Sequence, residues 1–255
     1  MAIDIKKMLE KKKQLESPQN SGNGGSVFWK PEEGDSKIRI LCPDDGDPFK
    51  GFYFHYRIGD KMSTLCPKKT YGDACPICEH ASELYKEGTP EAREEAKKYY
   101  AKQRFYSPVL VRGRESEGVK VWGYGKKVYE EFLGLVTNPE YGDITDLEDG
   151  TDLTLSHTRN AGPWPVTKVT PSRRTSRVCQ DMEPEECKEF LAQMPDIDNL
   201  FTREDYNTLK GYLNEALYAE GGLSPEASSS ETQKFSPPAQ KKEALDIDSV
   251  FEDLK

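Results

Sequence analysis

Short stretches rich in β-branched and aromatic residues, each bounded by Gly, Pro or Asp, recur along the middle of the chain. This pattern is typical of β-strands, whose side chains alternate between two faces. No internal repeat is visible, and several such strands favour a small barrel or sandwich. The predicted strands cover residues 37–41, 51–57, 105–112, 119–124, 152–157 and 164–170.

Apolar residues also recur at the three- and four-residue spacing of amphipathic helices. The last predicted helix has Thr202 as its N-cap and Asp205 in its first turn, where an acid is favourable. The predicted helices cover residues 79–100, 126–136, 183–194 and 202–219.

The two ends of the chain differ in composition from this middle part. Residues 1–22 contain a lysine-rich segment followed by the start of a Gly/Ser/Asn run, and residues 220–255 are rich in Gly, Ser and Pro before an acidic end. Such segments bury little apolar surface. The predicted organisation is a flexible basic N-terminal arm (1–22), a folded core (23–219) and a flexible linker with an acidic tail (220–255).

Composition narrows the class of protein. The chain has 255 residues, of which 35% are hydrophobic and 32% charged, and it contains neither a long apolar run nor an N-terminal secretion signal. These features predict an intracellular protein that is not secreted and binds no membrane. The net charge of -9 would disfavour nucleic acid if it were evenly spread, but residues 97–128 hold nine Lys and Arg against two Glu.

Four residues have the spacing of a metal site. Cys75 and Cys78 are separated by two residues, which lets two thiolates reach one tetrahedral ion, and Cys66 and His55 can complete the site. Because a reducing compartment disfavours disulfides, clustered cysteines there indicate a metal or a catalytic role. Four protein ligands close the coordination shell, so we predict one structural Zn²⁺.

Two alternatives for this site stay open in the sequence. His80 could replace His55 as the fourth ligand, and Cys75 and Cys78 could instead be a redox pair or buried thiols that bind no metal. The remaining cysteines have no partner spacing, and we interpret them as small, at least partly buried residues. They are Cys42, Cys179 and Cys187.

Cations and aromatic rings alternate in the basic segment. Cations track a phosphate backbone and rings stack on bases, which is what a sequence-tolerant single-strand groove requires. In the strand at 119–124, Val119 and Val121 are predicted to pack inward, and Trp122 and Tyr124 to form an exposed face with the lysines. The candidate contacts are Lys102, Arg104, Phe105, Tyr106, Lys120, Trp122, Tyr124, Lys126 and Lys127.

Together these pieces resemble the helix-destabilising, single-stranded-DNA-binding proteins of T-even-type bacteriophages. The matching segments are KIRILCP at 37–43, the His55/Cys66/Cys75/Cys78 set with DACPIC, EGVKVWGYGKKVYEEF at 117–132, and the acidic end DIDSVFEDL. The resemblance implies a mainly β fold with added helices, in which an OB-fold barrel core carries a zinc-binding subdomain at about 55–100.

The resemblance also implies a function and partners. It implies a non-enzymatic protein that coats single-stranded DNA during phage replication, recombination and repair in the cytoplasm of the infected host. The arm would mediate cooperative self-association, although its KKKQLES sequence departs from the family's motif, and the tail would recruit replication and recombination proteins. By position, Arg39, Phe105, Tyr106 and Trp122 would contact DNA.

Two other functions remain as alternatives. An RNA-binding or transcription-related zinc protein would use the same cationic and aromatic surface, because stacking does not sense the sugar. A nuclease would need clustered carboxylates, and Asp143, Asp146 and Asp149 lie close together but without a recognisable motif.

Overall fold

The computed structural model describes residues 27–159, 165–180 and 182–221, so the predicted arm and the acidic tail lie outside the described residues. Eight strands and six α-helices are present in this part of the chain, which confirms the mainly β fold class with added helices. The strands are β1 (Phe28–Trp29), β2 (Gly34–Ile40), β3 (Lys50–Ile58), β4 (Lys61–Leu65), β5 (Lys102–Val111), β6 (Lys120–Tyr124), β7 (Thr151–Thr158) and β8 (Val166–Thr175). The helices are α1 (Pro67–Tyr71), α2 (Pro76–Glu87), α3 (Pro90–Tyr99), α4 (Lys126–Val136), α5 (Pro184–Ala192) and α6 (Tyr206–Gly221).

Strand β5 is the junction of the sheet. The main path runs β1-β6-β5-β2-β7-β8, and β3 branches from β5 and carries β4 on its other side. The first part of β5 pairs with β3, as in Phe54 opposite Lys102, and its last part pairs with β2, as in Ile38 opposite Val111. One long strand therefore joins the main sheet to the β3–β4 hairpin.

Alternation along β5 separates two apolar clusters. Phe105 and Val109 lie in the main core, whereas Tyr106, on the other face, packs with Phe52 and Phe54 of β3. Burial of this kind stabilises the fold by roughly 25 cal/mol per Å² of apolar surface. The main core consists of Trp29, Ile38, Ile40, Phe105, Val109, Val111, Trp122, Tyr124, Val128, Phe132, Ile144, Leu153, Leu155 and Val169.

The single helix predicted at 79–100 is wrong, because two helices occupy this segment. Gly88 ends α2 in the left-handed conformation (φ 77°), which glycine adopts without a Cβ penalty. Thr89 then caps α3, its Oγ1 accepting a hydrogen bond from the Ala92 amide at 3.1 Å, and Pro90 occupies the first turn. The segment after Cys66, for which no helix is predicted, contains the short helix α1.

The cap predicted for the last helix is also wrong. Helix α6 begins at Tyr206, and the Asp205 carboxylate accepts hydrogen bonds from the amides of Asn207 and Thr208 at 2.8 and 3.1 Å. Asp205 therefore caps the helix, and Thr202 precedes it in a loop. None of the described helices is long and apolar enough to cross a lipid bilayer.

A buried ion cluster ties β2 to β7. Arg39 is fully buried, and its Nε donates to Asp152 Oδ1 at 2.9 Å. Arg112 donates to the same carboxylate at 3.0 Å. Burial opposes ionisation, but the hydrogen bond and charge of Arg112 outweigh it and lower the pKa of Asp152. The expectation that Arg39 contacts DNA is therefore not met in this structure, since its guanidinium is enclosed by protein.

A disulfide between Cys179 and Cys187 corrects a second expectation from the sequence. It links the segment after β8 to helix α5. The two residues are eight apart and both pack with Leu41 and Leu110 in a separate apolar cluster. The prediction that these two cysteines have no partner was wrong, because the fold brings their Cα atoms to 5.8 Å, a separation that a disulfide spans.

We predict that Asp152→Asn destabilises the protein by about 3 to 5 kcal/mol, because two buried arginines lose their counter-charge. Glu148→Gln, which breaks the exposed pair with Arg177, is the control and should cost less than about 1 kcal/mol. Because the folded-state pKa of Asp152 is depressed, its contribution is present above about pH 4 and is lost as pH falls further. Urea unfolding at pH 7 and pH 3 measures the free energy of unfolding of both variants. Equal losses of unfolding free energy in Asp152→Asn and Glu148→Gln at pH 7 would contradict the prediction.

Candidate metal centre and nucleic-acid interface

The structure brings the four predicted metal ligands together beside strand β3. The ligand atoms of His55, Cys66, Cys75 and Cys78 all lie within 4.8 Å of one another. His55 Nε2 is 3.4 Å from Cys75 Sγ and 3.6 Å from Cys78 Sγ, and Cys66 Sγ is 3.4 Å from Cys78 Sγ. Ligands at about 2.0 to 2.3 Å from a tetrahedral ion lie at about these separations, so the group can hold a metal ion.

Local structure explains how the cysteines are positioned. Cys66 is the N-cap of α1, and its Sγ accepts a hydrogen bond from the Lys69 amide at 3.4 Å. Pro67 fixes the first turn of α1, and Gly72 ends it in the left-handed region at φ 82°. Cys75 is the N-cap of α2, so Cys78 falls in the first turn of that helix.

A backbone hydrogen bond orients the histidine. The Nδ1 of His55 lies 2.8 Å from the Tyr99 carbonyl oxygen, so Nδ1 carries a proton and Nε2 is the ring atom directed at the thiols. Burial opposes a charge on the ring, but the hydrogen bonds with Cys66 and Cys75 raise the pKa of His55 to about 9. Hydrogen bonds with Cys75 and Cys78 lower the pKa of Cys66, whereas hydrogen bonds with Cys66 and Cys75 raise the pKa of Cys78. Metal binding to this group would therefore release protons.

His80 lies outside this ligand group. Its ring stands edge-on to Tyr99, with centroids 4.8 Å apart and an interplanar angle of 88°. Its Nε2 is buried and has no hydrogen-bond partner within the described ranges. Of the two histidines left open by the sequence, the structure places only His55 with the cysteines.

The opposite face of β3 lines a second feature, which we call the aromatic cleft. This cleft of about 320 Å³ is bounded by Phe54 and Tyr56 of β3, Tyr106 of β5, and Phe201. The Phe201 ring centroid lies 5.0 Å from that of Phe54 and 4.7 Å from that of Tyr106. Lys61 and Glu204 place one cation and one carboxylate in its lining.

A glycine allows the Tyr106 ring to lie close to the sheet. A Cβ at Gly123 would be 2.6 Å from Tyr106 Cε1, so a larger residue would displace the ring. Arg104 Nη2 donates to the Gly123 carbonyl at 3.2 Å, which brings a second cation beside the tyrosine. Burial raises the pKa of Tyr106 to about 12, so the phenol is neutral at physiological pH.

The predicted exposed face of β6 is wrong. Trp122 and Tyr124 are each only 3% exposed and lie in the main core, and Phe105 is 5% exposed. Both faces of β6 are covered, because Val121 packs on the cluster behind the aromatic cleft. These three rings therefore cannot stack on a base in this structure, and Phe105 stacks on Tyr129 instead, at 3.8 Å.

The predicted cations are distributed around the surface near these elements. Lys102, Lys126 and Lys127 are exposed, and Arg104 and Lys120 are half-buried. Lys126 lies 3.7 Å from Glu130 one turn along α4. The cleft residues Tyr56, Phe201 and Lys61 are not predicted from the sequence, although the aromatics of GFYFHYR at 51–57, which predict a strand, include Tyr56.

A mainly β core, a Cys3His group and an aromatic cleft with Lys61 in its lining and Arg104 beside Tyr106 are compatible with a nucleic-acid-binding protein. A comparison with protein-family models identifies the class further: the model described as gp32 DNA binding protein like matches residues 32–217. The chain belongs to this gp32-like DNA-binding family, and the predicted resemblance to the phage single-stranded-DNA-binding proteins is confirmed. No curated protein matches the chain.

We predict that Cys78→Ala abolishes metal binding, whereas His80→Ala retains it. Loss of one thiolate removes a coordinate bond and opens the closed shell, while His80 contributes none. Metal analysis of the purified proteins should give about one ion per chain for wild type and His80→Ala. Stoichiometric metal in Cys78→Ala would contradict the ligand assignment. Loss of the metal in His80→Ala would instead indicate that His80 is a ligand.

Proposed function

We propose that the protein binds and coats single-stranded DNA without strong sequence preference during phage replication, recombination and repair, and that it acts as a binder and not as an enzyme. The observation that carries this proposal is the aromatic cleft, which lies within the matched family region and combines partly exposed rings with the cation of Lys61. The DNA-binding family supports the single-strand assignment.

The cleft suits bases without reading their identity. Every base has a π face, and stacking on an aromatic side chain is worth about 1 to 3 kcal/mol per base. Tyr56, Tyr106 and Phe201 are each only half-buried, so part of each ring remains available. Of the four predicted ring contacts, Tyr106 is the one that is not buried in the main core, where Phe105, Trp122 and Tyr124 lie.

Cations near the cleft would follow the phosphates. Lys102 and Arg104 lie at the start of β5, next to the β3 strand that lines the cleft. Lys126 and Lys127 form the first turn of α4, where the helix N-terminus adds positive potential. Lys120, which is half-buried, remains a predicted DNA contact.

The metal is proposed to be one structural Zn²⁺. Three thiolates and an imidazole are the donor set that zinc binds in closed structural sites, and four protein ligands leave no position for a reacting water. When bound, the ion would hold β3, the start of α1 and the start of α2 at one point. The ion would thereby hold strand β3, whose other face lines the aromatic cleft, in its position.

The two ends of the chain complete the proposal. The basic arm (1–22) would mediate self-association along DNA, and the acidic tail (220–255) would recruit replication and recombination proteins. Their opposite charges suit these separate tasks. The setting would be the cytoplasm of an infected bacterial host.

We predict that Tyr56→Ala weakens binding to oligo(dT) by about 1 to 3 kcal/mol, or roughly 5- to 150-fold, at every salt concentration, because stacking releases no counterion. Tyr218→Ala removes an exposed ring of α6 that is 48% accessible and lies outside the cleft. This control should bind as wild type does. Fluorescence anisotropy of a labelled oligonucleotide measures both, and equal affinities for all three proteins would remove Tyr56 from the interface.

We predict that Lys127→Ala makes the salt dependence of binding shallower by about 0.7 in the log-log slope, as expected for one lost phosphate contact. Lys210→Ala, an exposed lysine on α6, should leave the slope unchanged. The same titration with RNA of identical sequence separates the alternative function, since preference for RNA would favour the RNA-binding hypothesis. An unaltered slope in Lys127→Ala would exclude this lysine from the phosphate path.

A further inference from the structure

A second and larger groove borders helix α5. It encloses about 880 Å³ and shares no lining residue with the aromatic cleft in the described part of the chain. Leu147, Met182, Leu191 and Met194 line it, and Leu147 is 45% exposed. We call it the α5 groove. A surface of this size with accessible apolar side chains is characteristic of a docking site.

The rim of the α5 groove is acidic. Its ion pairs are internal: Lys50 pairs with Asp45 and Asp198, and Arg177 pairs with Glu148. Acids outnumber bases among the lining residues, and helix α5 adds three glutamates beside its one lysine. Phosphates would be repelled here, so the groove suits a basic amphipathic segment and not DNA. The lining charges are Asp44, Asp45, Glu148, Asp196 and Asp198 against Lys50, Arg177 and Lys188.

The chain itself contains a segment of this chemistry. Residues 1–16 carry five lysines against three acids, and their apolar residues recur at roughly helical spacing. An amphipathic segment of this kind places its apolar side chains in a groove while its cations meet an acidic rim. The lysines are Lys6, Lys7, Lys11, Lys12 and Lys13, and the apolar residues are Ile5, Met8, Leu9 and Leu15.

We propose that the α5 groove is the docking site for residues 1–16 of the same chain in the DNA-free protein. The described chain begins near the groove, because the Phe28 ring lies 5.9 Å from that of Phe201, and Phe201 packs in the same apolar cluster as the groove residue Ile197. The ten residues 17–26 that connect the two can extend to at most about 35 Å. A tether this short gives millimolar effective concentration and favours docking within one chain.

Amide hydrogen exchange of the full-length protein without DNA tests this proposal. Reversing the charge of all five arm lysines to glutamate should increase exchange at least about threefold at 184–192 and 145–148, because a covered surface becomes free. A second variant, Met8→Asp with Leu9→Asp, should have the same effect through the apolar half of the contact. Unchanged exchange at these segments in both arm variants would overturn the proposal.

Substitutions in the α5 groove test the same contact from the groove instead of from the arm. Asp44→Lys reverses an exposed charge at the rim and should increase exchange at the same segments, whereas Glu140→Lys, exposed and outside the groove, should leave it unchanged. An equal response to both substitutions would point to net charge alone and overturn the assignment of the groove.

Protein concentration distinguishes the occupant. Protection of the groove should be constant between about 1 and 100 μM, because a tethered segment does not respond to dilution. Protection that disappears on dilution would assign the groove to the arm of a second copy and overturn docking within the chain. No step requires DNA, so this result is separate from success or failure of single-strand binding.

Discussion

The two-residue alternation of strand β3 is the constraint on which both candidate sites depend. His55 on one face joins the Cys3His group, and Phe54 and Tyr56 on the other line the aromatic cleft. A one-residue slip of β3 against β5 would exchange these faces and destroy both sites together. The pairing of Phe54 with Lys102 therefore sets the geometry of the metal centre and the cleft at once.

The same alternation explains why part of the architecture was predictable. Runs of β-branched and aromatic residues located six of the eight described strands, and the Cys-x-x-Cys spacing with an upstream Cys and His located the metal ligands. These signals are local, because they depend on residue type at fixed spacing. The short hairpin strand β4 was not predicted, because its sequence, KMSTL, is not rich in β-branched or aromatic residues.

The errors concern long-range packing. The pattern showed that Val121 and Trp122 point to opposite faces of β6 but not that other elements cover both faces, so the larger ring was assigned to solvent. Arg39 was assigned to DNA from the family resemblance, and the sequence did not reveal its buried partner Asp152, which is 113 residues away along the chain. The cleft residue Phe201 joins the site only through the fold, because it follows α5 and packs on rings of β3 and β5. Such contacts depend on tertiary structure, which no local spacing encodes.

Photocrosslinking of the full-length protein to an oligonucleotide containing 5-iododeoxyuridine, followed by peptide mapping, would locate single-stranded DNA on the protein. If the DNA lies in the aromatic cleft, on the face of β3 opposite the metal centre, we expect crosslinks to Tyr56, Tyr106 or Phe201, because a base stacked on a ring places the reactive halogen against it. Crosslinks confined to aromatic residues outside the cleft, such as the exposed Tyr218 of α6, with none in the cleft, would contradict this placement of the DNA.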